Sequence, residues 1–176
     1  MKRCIFIILL SIIIHNISAQ TNNKERVSFA TTLGTGISMN TPSSTPIAWQ
    51  IIGYYNLTER WSVGIGTGLS FYEKTLIPIY GDIKFQIGKQ RKFTPFAEFA
   101  IGGSFAPTSE ANGGFFMHPS IGIQYPIKNK IRLQLAIGYE WQELERLKKQ
   151  TDDYFQKVFS EKLFHHSITV KIGVEF

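Results

Sequence analysis

The sequence has almost no cysteine. Cys4 is the only one among 176 residues, and it lies within the first twenty. A chain without Cys4 has no disulfide, no thiol nucleophile and no cysteine-ligated metal. Long hydrophobic runs are also missing. After residue 20 no stretch approaches the roughly eighteen continuous apolar residues of a spanning helix. Charge is sparse, at 18% of residues, and the formal net charge is +6, or +4 without Lys2 and Arg3. That mild excess does not call for nucleic acid; a basic rim beside acidic headgroups accounts for it. No nucleotide-binding motif is present. Gly64, Gly66 and Gly68 recur with the period of a strand, with no helix following, so they are room for neighbours and not a phosphate loop. His118 stands alone, and a metal site needs several ligands. No cofactor and no metal are expected.

The first twenty residues read differently from the rest. Lys2 and Arg3 precede an apolar run, Ile5 to Ile14, and Ile17-Ser18-Ala19 supplies small residues. This is the pattern of a secretory signal peptide. We expect residues 1–19 to be removed and residues 20–176 to form one domain, with cleavage one residue later as the alternative. Cys4 precedes the apolar run, so it is not a lipoprotein anchor.

Beyond it, apolar residues recur with period two, the signature of strands with one dry face. Eight such segments follow: Val27 to Ser38, Ile47 to Tyr55, Trp61 to Tyr72, Leu76 to Ile87, Phe93 to Phe105, Phe115 to Tyr125, Ile131 to Trp141, and Phe164 to Phe176. The connections near 56–60, 88–92 and 128–130 are short; those near 39–46, 106–113 and 143–160 are longer, with the short 73–75 the exception. An even strand number with alternating short and long connections is the plan of an outer-membrane barrel, its short turns periplasmic. The segment 143–160 is expected as a mobile surface loop, with a short helix or a strand extension as alternatives.

A soluble eight-stranded barrel puts its apolar face inside. Here the apolar face carries Ile, Leu, Phe and Trp, while the polar face is rich in Gly, Ala and Ser. A narrow lumen suits the small residues, so the bulky face is expected outside, against lipid. Aromatic residues near both strand ends (Trp61, Phe85, Phe93, Tyr125 and Phe176; Trp49, Phe71, Phe105, Phe115, Tyr139, Trp141 and Phe164) suggest two girdles. The expected fold is all-β: an eight-stranded, antiparallel, up-and-down transmembrane barrel.

The last strand ends on Val174, Glu175 and Phe176. With Thr169, the residues Val174 and Phe176 resemble the C-terminal assembly signal of bacterial outer-membrane barrels; Lys171 stands where that signal has glycine. Nearly the whole chain beyond residue 20 resembles the small eight-stranded barrels akin to the OmpA transmembrane domain and the porin-family barrels of Bacteroidetes. The resemblance implies outer-membrane localisation, contact with outer-membrane lipid and lipopolysaccharide, and handling by the barrel-assembly machinery. No periplasmic domain is expected after the barrel, and the surface partner is left open.

His165 and Ser167 have the His-x-Ser spacing of outer-membrane lipid A deacylases, which the chain resembles at this point. A histidine can activate a serine hydroxyl, but a carboxylate must orient it. In that family the pair faces lipid, whereas here it falls on the lumen register. The pair is therefore only a weak catalytic candidate. The polar register holds Asp82, Lys84, Glu98, Arg132, Glu140, His165, Lys171 and Glu175. Depth counting puts Asp82, Lys84, Glu98 and Lys171 near mid-height, Arg132 opposite Glu175 below, and Glu140 near His165 above. Confined charges persist when paired, so these residues are expected to plug the lumen. The expected role is structural or surface-interacting. A lipid A-modifying enzyme of the same architecture and a narrow channel are the alternatives.

Overall fold

The structure, a computed structural model, describes residues 26–40, 47–88, 92–107, 111–128, 131–152 and 155–176. The expected signal segment, the middle of the 39–46 connection and Asn129 lie outside these residues. Eight strands follow one another: β1 (Val27–Ser38), β2 (Ile47–Asn56), β3 (Trp61–Phe71), β4 (Thr75–Gln86), β5 (Thr94–Phe105), β6 (Ala111–Lys128), β7 (Ile131–Asp152) and β8 (Phe155–Glu175). Each pairs antiparallel with its neighbours in sequence, and β8 pairs with β1, so the sheet closes. This is the expected eight-stranded antiparallel barrel.

Strand alternation decides which residues go where. Even-numbered positions of β1 to β5, of β6 from Phe116 and of β7 up to Leu144, and odd-numbered positions of β8 from Leu163, face the lumen, and the intervening ones face out. The outward face is apolar and bare: Ile37 is 76% exposed, Ile65 74% and Ile121 68%. An apolar belt running round a barrel is far larger than the patches water-soluble monomers expose. Its ends carry aromatic contacts. Trp61 meets Phe85 at 4.5 Å between ring centroids and Phe93 meets Tyr125 at 5.2 Å at one end. At the other end Phe115 meets Trp141 edge-on at 5.8 Å, and Trp141 lies 5.5 Å from His166.

The turns match the residues that make them. Thr58 accepts the Trp61 and Arg60 amides on its hydroxyl, at 3.0 and 3.2 Å, between β2 and β3. Gly88, after β4, has φ +85°, a conformation that costs glycine little. Pro78 sits within β4, opposite Gly68. The β3–β4 ladder skips that position, running from Thr67 and Ile79 to Ser70 and Leu76. A proline has no amide to donate, so the gap is where it does least harm.

Two expectations change. The connection 143–160 is largely a strand extension: β7 and β8 pair without a break from Arg132 and Glu175 to Asp152 and Phe155. Opposite charges stand in register at its start, Glu145 with Lys162, which favours the ribbon. Strand β6 likewise starts at Ala111, inside the expected 106–113 loop. The lumen also holds large rings as well as small residues. Tyr54, Tyr80, Phe96 and Phe116 are all buried inside. A Cβ on Gly66 would lie 2.4 Å from the Tyr80 ring, and one on Gly122 2.5 Å from Phe96. The glycines make room for rings on neighbouring strands, so the lumen is packed by pairing large with absent.

The seam between β1 and β8 is tied at its lower end by the last residue. The Phe176 amide donates to the Phe29 carbonyl, and the Phe29 amide to the Phe176 carbonyl, both at 2.8 Å. The two rings lie 6.3 Å apart on the outer face. Deleting Phe176 removes both bonds and the ring contact at the closing pair. We expect the deletion to lower the folded fraction of the barrel refolded into lipid several-fold. Heat-modifiable mobility on gels measures this; an unchanged folded fraction would separate the final residue from closure.

Candidate functional site

Strand alternation sends one row of side chains from each strand into the lumen, where they meet at three heights. The lowest layer is built on Glu175 of β8, which is 3% exposed. Lys84 of β4 reaches across the lumen to its carboxylate at 2.8 Å. Arg132 of β7 pairs with the other carboxylate oxygen, and Gln124 of β6 donates at 3.0 Å. Gln134 of β7 donates as well. Lys84 is sheathed by aromatic rings: its Nζ lies 4.5 Å from the Phe96 centroid and 5.3 Å from that of Tyr54. A cation over a ring face is further stabilised by the ring quadrupole. The layer thus ties three strands, β4, β6 and β7, to one carboxylate of β8.

The middle layer contains Tyr54 of β2 between two acids. Its hydroxyl lies 3.3 Å from Asp82 Oδ1 on β4 and 3.3 Å from Glu98 Oε2 on β5. Asp82 Oδ2 is buried with no hydrogen-bond partner. His118 of β6 meets the Thr169 hydroxyl of β8 through Nε2 at 2.8 Å.

In the upper layer Lys171 of β8 donates to Gln50 Oε1 of β2 at 2.8 Å and lies 3.9 Å from Glu140 of β7. Glu140 accepts from the Tyr72 hydroxyl, and the Tyr72 ring lies 5.0 Å from that of His165. Gln142 donates to the Ser104 hydroxyl at 2.6 Å. Above this layer an apolar cluster of Leu76 and Leu144, with Tyr72, Ala106 and Leu163 against it, sits across the mouth.

All eight charged or titratable residues singled out from the sequence project into the lumen. Arg132 and Glu175 are direct cross-strand partners. Glu140 and His165 are joined through Tyr72. Lys84 departs from the expected cluster with Asp82 and Glu98: its ion pair crosses the barrel to Glu175 instead. Lys171 reaches up to Gln50 and Glu140. His165 and Ser167 are both buried in the lumen, at 1% and 0% exposure, on the side away from lipid. Val174 and Phe176 face outward at the lower rim. Sequence reasoning passed over Tyr54, Tyr72, Gln50, Gln124 and Gln134. Their even-numbered register in β2, β6 and β7, and Tyr72's place at the end of β3, were the available signals. Among the described residues no group of three or more His, Cys, Asp or Glu side chains is placed to hold a metal ion.

No protein-family model matches the sequence, and a search of curated proteins gives no match. Solved structures do match. Neisserial surface protein A superimposes with a TM-score of 0.54 at 12% identity, over 85% of this chain and 96% of that one. The outer membrane protein AlkL, solved in lipid bilayers, gives 0.54 at 10% identity, over 90% and 93%. The N-terminal barrel domain of Pseudomonas aeruginosa OprF gives 0.50 at 9% identity, over 85% and 97%. At such low identity these likenesses speak to architecture alone. The chain shares with these proteins a closed, eight-stranded antiparallel barrel, the fold of transmembrane barrels.

Proposed function

We propose that the chain is an outer-membrane barrel with a closed lumen, acting as a structural or surface-interacting protein and exported by a cleaved signal peptide. The observation that carries this reading is the Lys84–Glu175 pair, a 2.8 Å bond between facing walls of the barrel. An eight-stranded barrel has an interior just wide enough for side chains. A bond across it, flanked by Phe96 and Tyr54, supports a closed lumen. The exposed apolar belt takes outer-membrane lipid, and the Phe29–Phe176 closure fits delivery by barrel-assembly machinery. Lipopolysaccharide is the headgroup partner at the outer rim. The β7–β8 ribbon extends past the ends of β1 and β6 and is the part best placed for a surface partner, since variable function rides on the loops of rigid scaffolds.

Catalysis by His165 and Ser167 is not part of the proposal. Both side chains point into the packed interior, where a membrane lipid does not reach them. The test of the closed barrel is electrical. Purified protein in planar bilayers is expected to give no steady conductance. Reproducible wild-type openings, unaltered by Lys84→Met, would replace the closed barrel by a channel.

A further inference from the structure

The charged groups of the lumen do not balance. Between the Glu175 and Glu140 layers the lumen carries four carboxylates, Asp82, Glu98, Glu140 and Glu175, and three cations, Lys84, Arg132 and Lys171. Lys84 and Arg132 are both committed to Glu175, and Lys171 to Gln50 and Glu140. The surplus negative charge therefore falls on the middle layer. There Asp82 and Glu98 converge on one atom, the Tyr54 hydroxyl oxygen, at 3.3 Å each. A phenol has one hydrogen and can donate to one acceptor only. If both acids were ionised, one of the two contacts would be oxygen against oxygen with nothing between, with a buried charge on Asp82 beside a part-buried one on Glu98.

We infer that Asp82 and Glu98 share one proton through Tyr54. One carboxyl donates to the Tyr54 oxygen, and the Tyr54 hydrogen goes to the other carboxylate. A single added proton then satisfies both contacts and makes the lumen neutral. Two carboxylates confined to one site cannot easily both ionise, because their repulsion is weakly screened there. The surroundings agree. Asp82 is 2% exposed, and its Oδ2 is buried without a hydrogen-bond partner. Tyr80 of β4, also 2% exposed, has a buried hydroxyl without a hydrogen-bond partner and interacts electrostatically with both acids. Strand β3 faces Asp82 with Gly64 and offers no charge. Lys84 and Lys171 act on Asp82 from below and above. From β6 comes His118, bonded to Thr169. None of these supplies a further positive charge dedicated to the pair.

Infrared spectroscopy of the intact barrel in lipid at neutral pH tests the inference. The wild type is expected to show one carbonyl band of a protonated carboxyl, sensitive to deuterium oxide. The band should vanish in both Asp82→Asn and Glu98→Gln, since either change leaves one acid with the Tyr54 hydrogen to itself. A wild type without the band overturns the inference, whether or not either variant folds. So does a band that survives in both variants, or one lost in only one of them, which would put the proton on a single residue. A missing band together with an unfolding midpoint that rises when sodium or potassium replaces a bulky organic cation would assign the charge to a bound metal cation instead.

Discussion

Replacing Glu175 with glutamine is expected to lower the unfolding free energy of the barrel by about 4 kcal/mol, in the range for a buried ion pair that loses one partner. The loss is large because Glu175 serves two cations and at least two amides at once. Its removal leaves the Lys84 ammonium buried, 2% exposed, among Phe96, Tyr54 and amide groups. A glutamine oxygen can accept a hydrogen bond from it but cannot neutralise it. Arg132→Gln is the internal control. Arg132 is 30% exposed and its loss still leaves Glu175 paired with Lys84, so the drop should be well under half as large. Urea titrations of the barrel refolded into lipid vesicles, followed by tryptophan fluorescence, measure both. Equal losses in the two variants would mean that the rim arginine, and not the lysine across the lumen, governs the layer.

The second large effect concerns glycine. Gly102→Ala and Gly68→Ala are each expected to cost about 3 kcal/mol, at the upper end of overpacking costs. A Cβ on Gly102 would lie 2.1 Å from the Ile79 carbonyl oxygen, and one on Gly68 2.1 Å from that of Trp49. These are backbone atoms of the adjoining strand, so no rotamer change relieves the clash; the wall itself must move. Gly81 and Gly103 lie on the same kind of strand but face outward. A Cβ there meets nothing nearer than 4.0 and 3.6 Å. Alanine at those two positions should be neutral or mildly stabilising, since it reduces the freedom of the unfolded chain. Vesicle refolding yields and urea midpoints for the four variants check the contrast. A uniform response would show that strand glycine acts through flexibility and not through space.

The eight strands were legible because lipid outside and a narrow lumen inside impose opposite demands on successive residues. Ile131 to Trp141 alternates cleanly for that reason. From Glu145 to Asp152 the sequence is mostly polar and the alternation fades, so the stretch reads as a loop although β7 continues through it. The large rings of the lumen escaped notice for a related reason. Tyr54, Phe96 and Phe116 belong to the polar register by position but not by hydropathy, and Tyr54 and Phe96 stand against Gly64 and Gly122 of adjoining strands, which no local pattern announces. Within the site, pairs between adjacent strands follow from register, as Arg132 and Glu175 do. Lys84 and Glu175 lie on opposite walls, and such a pair follows from the tilt and stagger of the closed barrel, which strand-by-strand counting does not carry.

Glu175 has one further property: it is borne by the strand that closes the barrel. Until β8 docks against β1, Lys84 on β4 has no carboxylate across from it, and Gln124 and Gln134 have lost the acceptor they share. A sheet of seven strands would therefore hold that ammonium in its concave face without the carboxylate that bonds it, with Glu98 of β5 its register partner. Sealing the seam and filling the interior become one event. The partly formed sheet is selectively unstable, and the completed one has no stage at which β8 peels away without exposing the charge it came to cover. Edge closure in this chain is thus enforced from the inside, by a strut that arrives with the final strand.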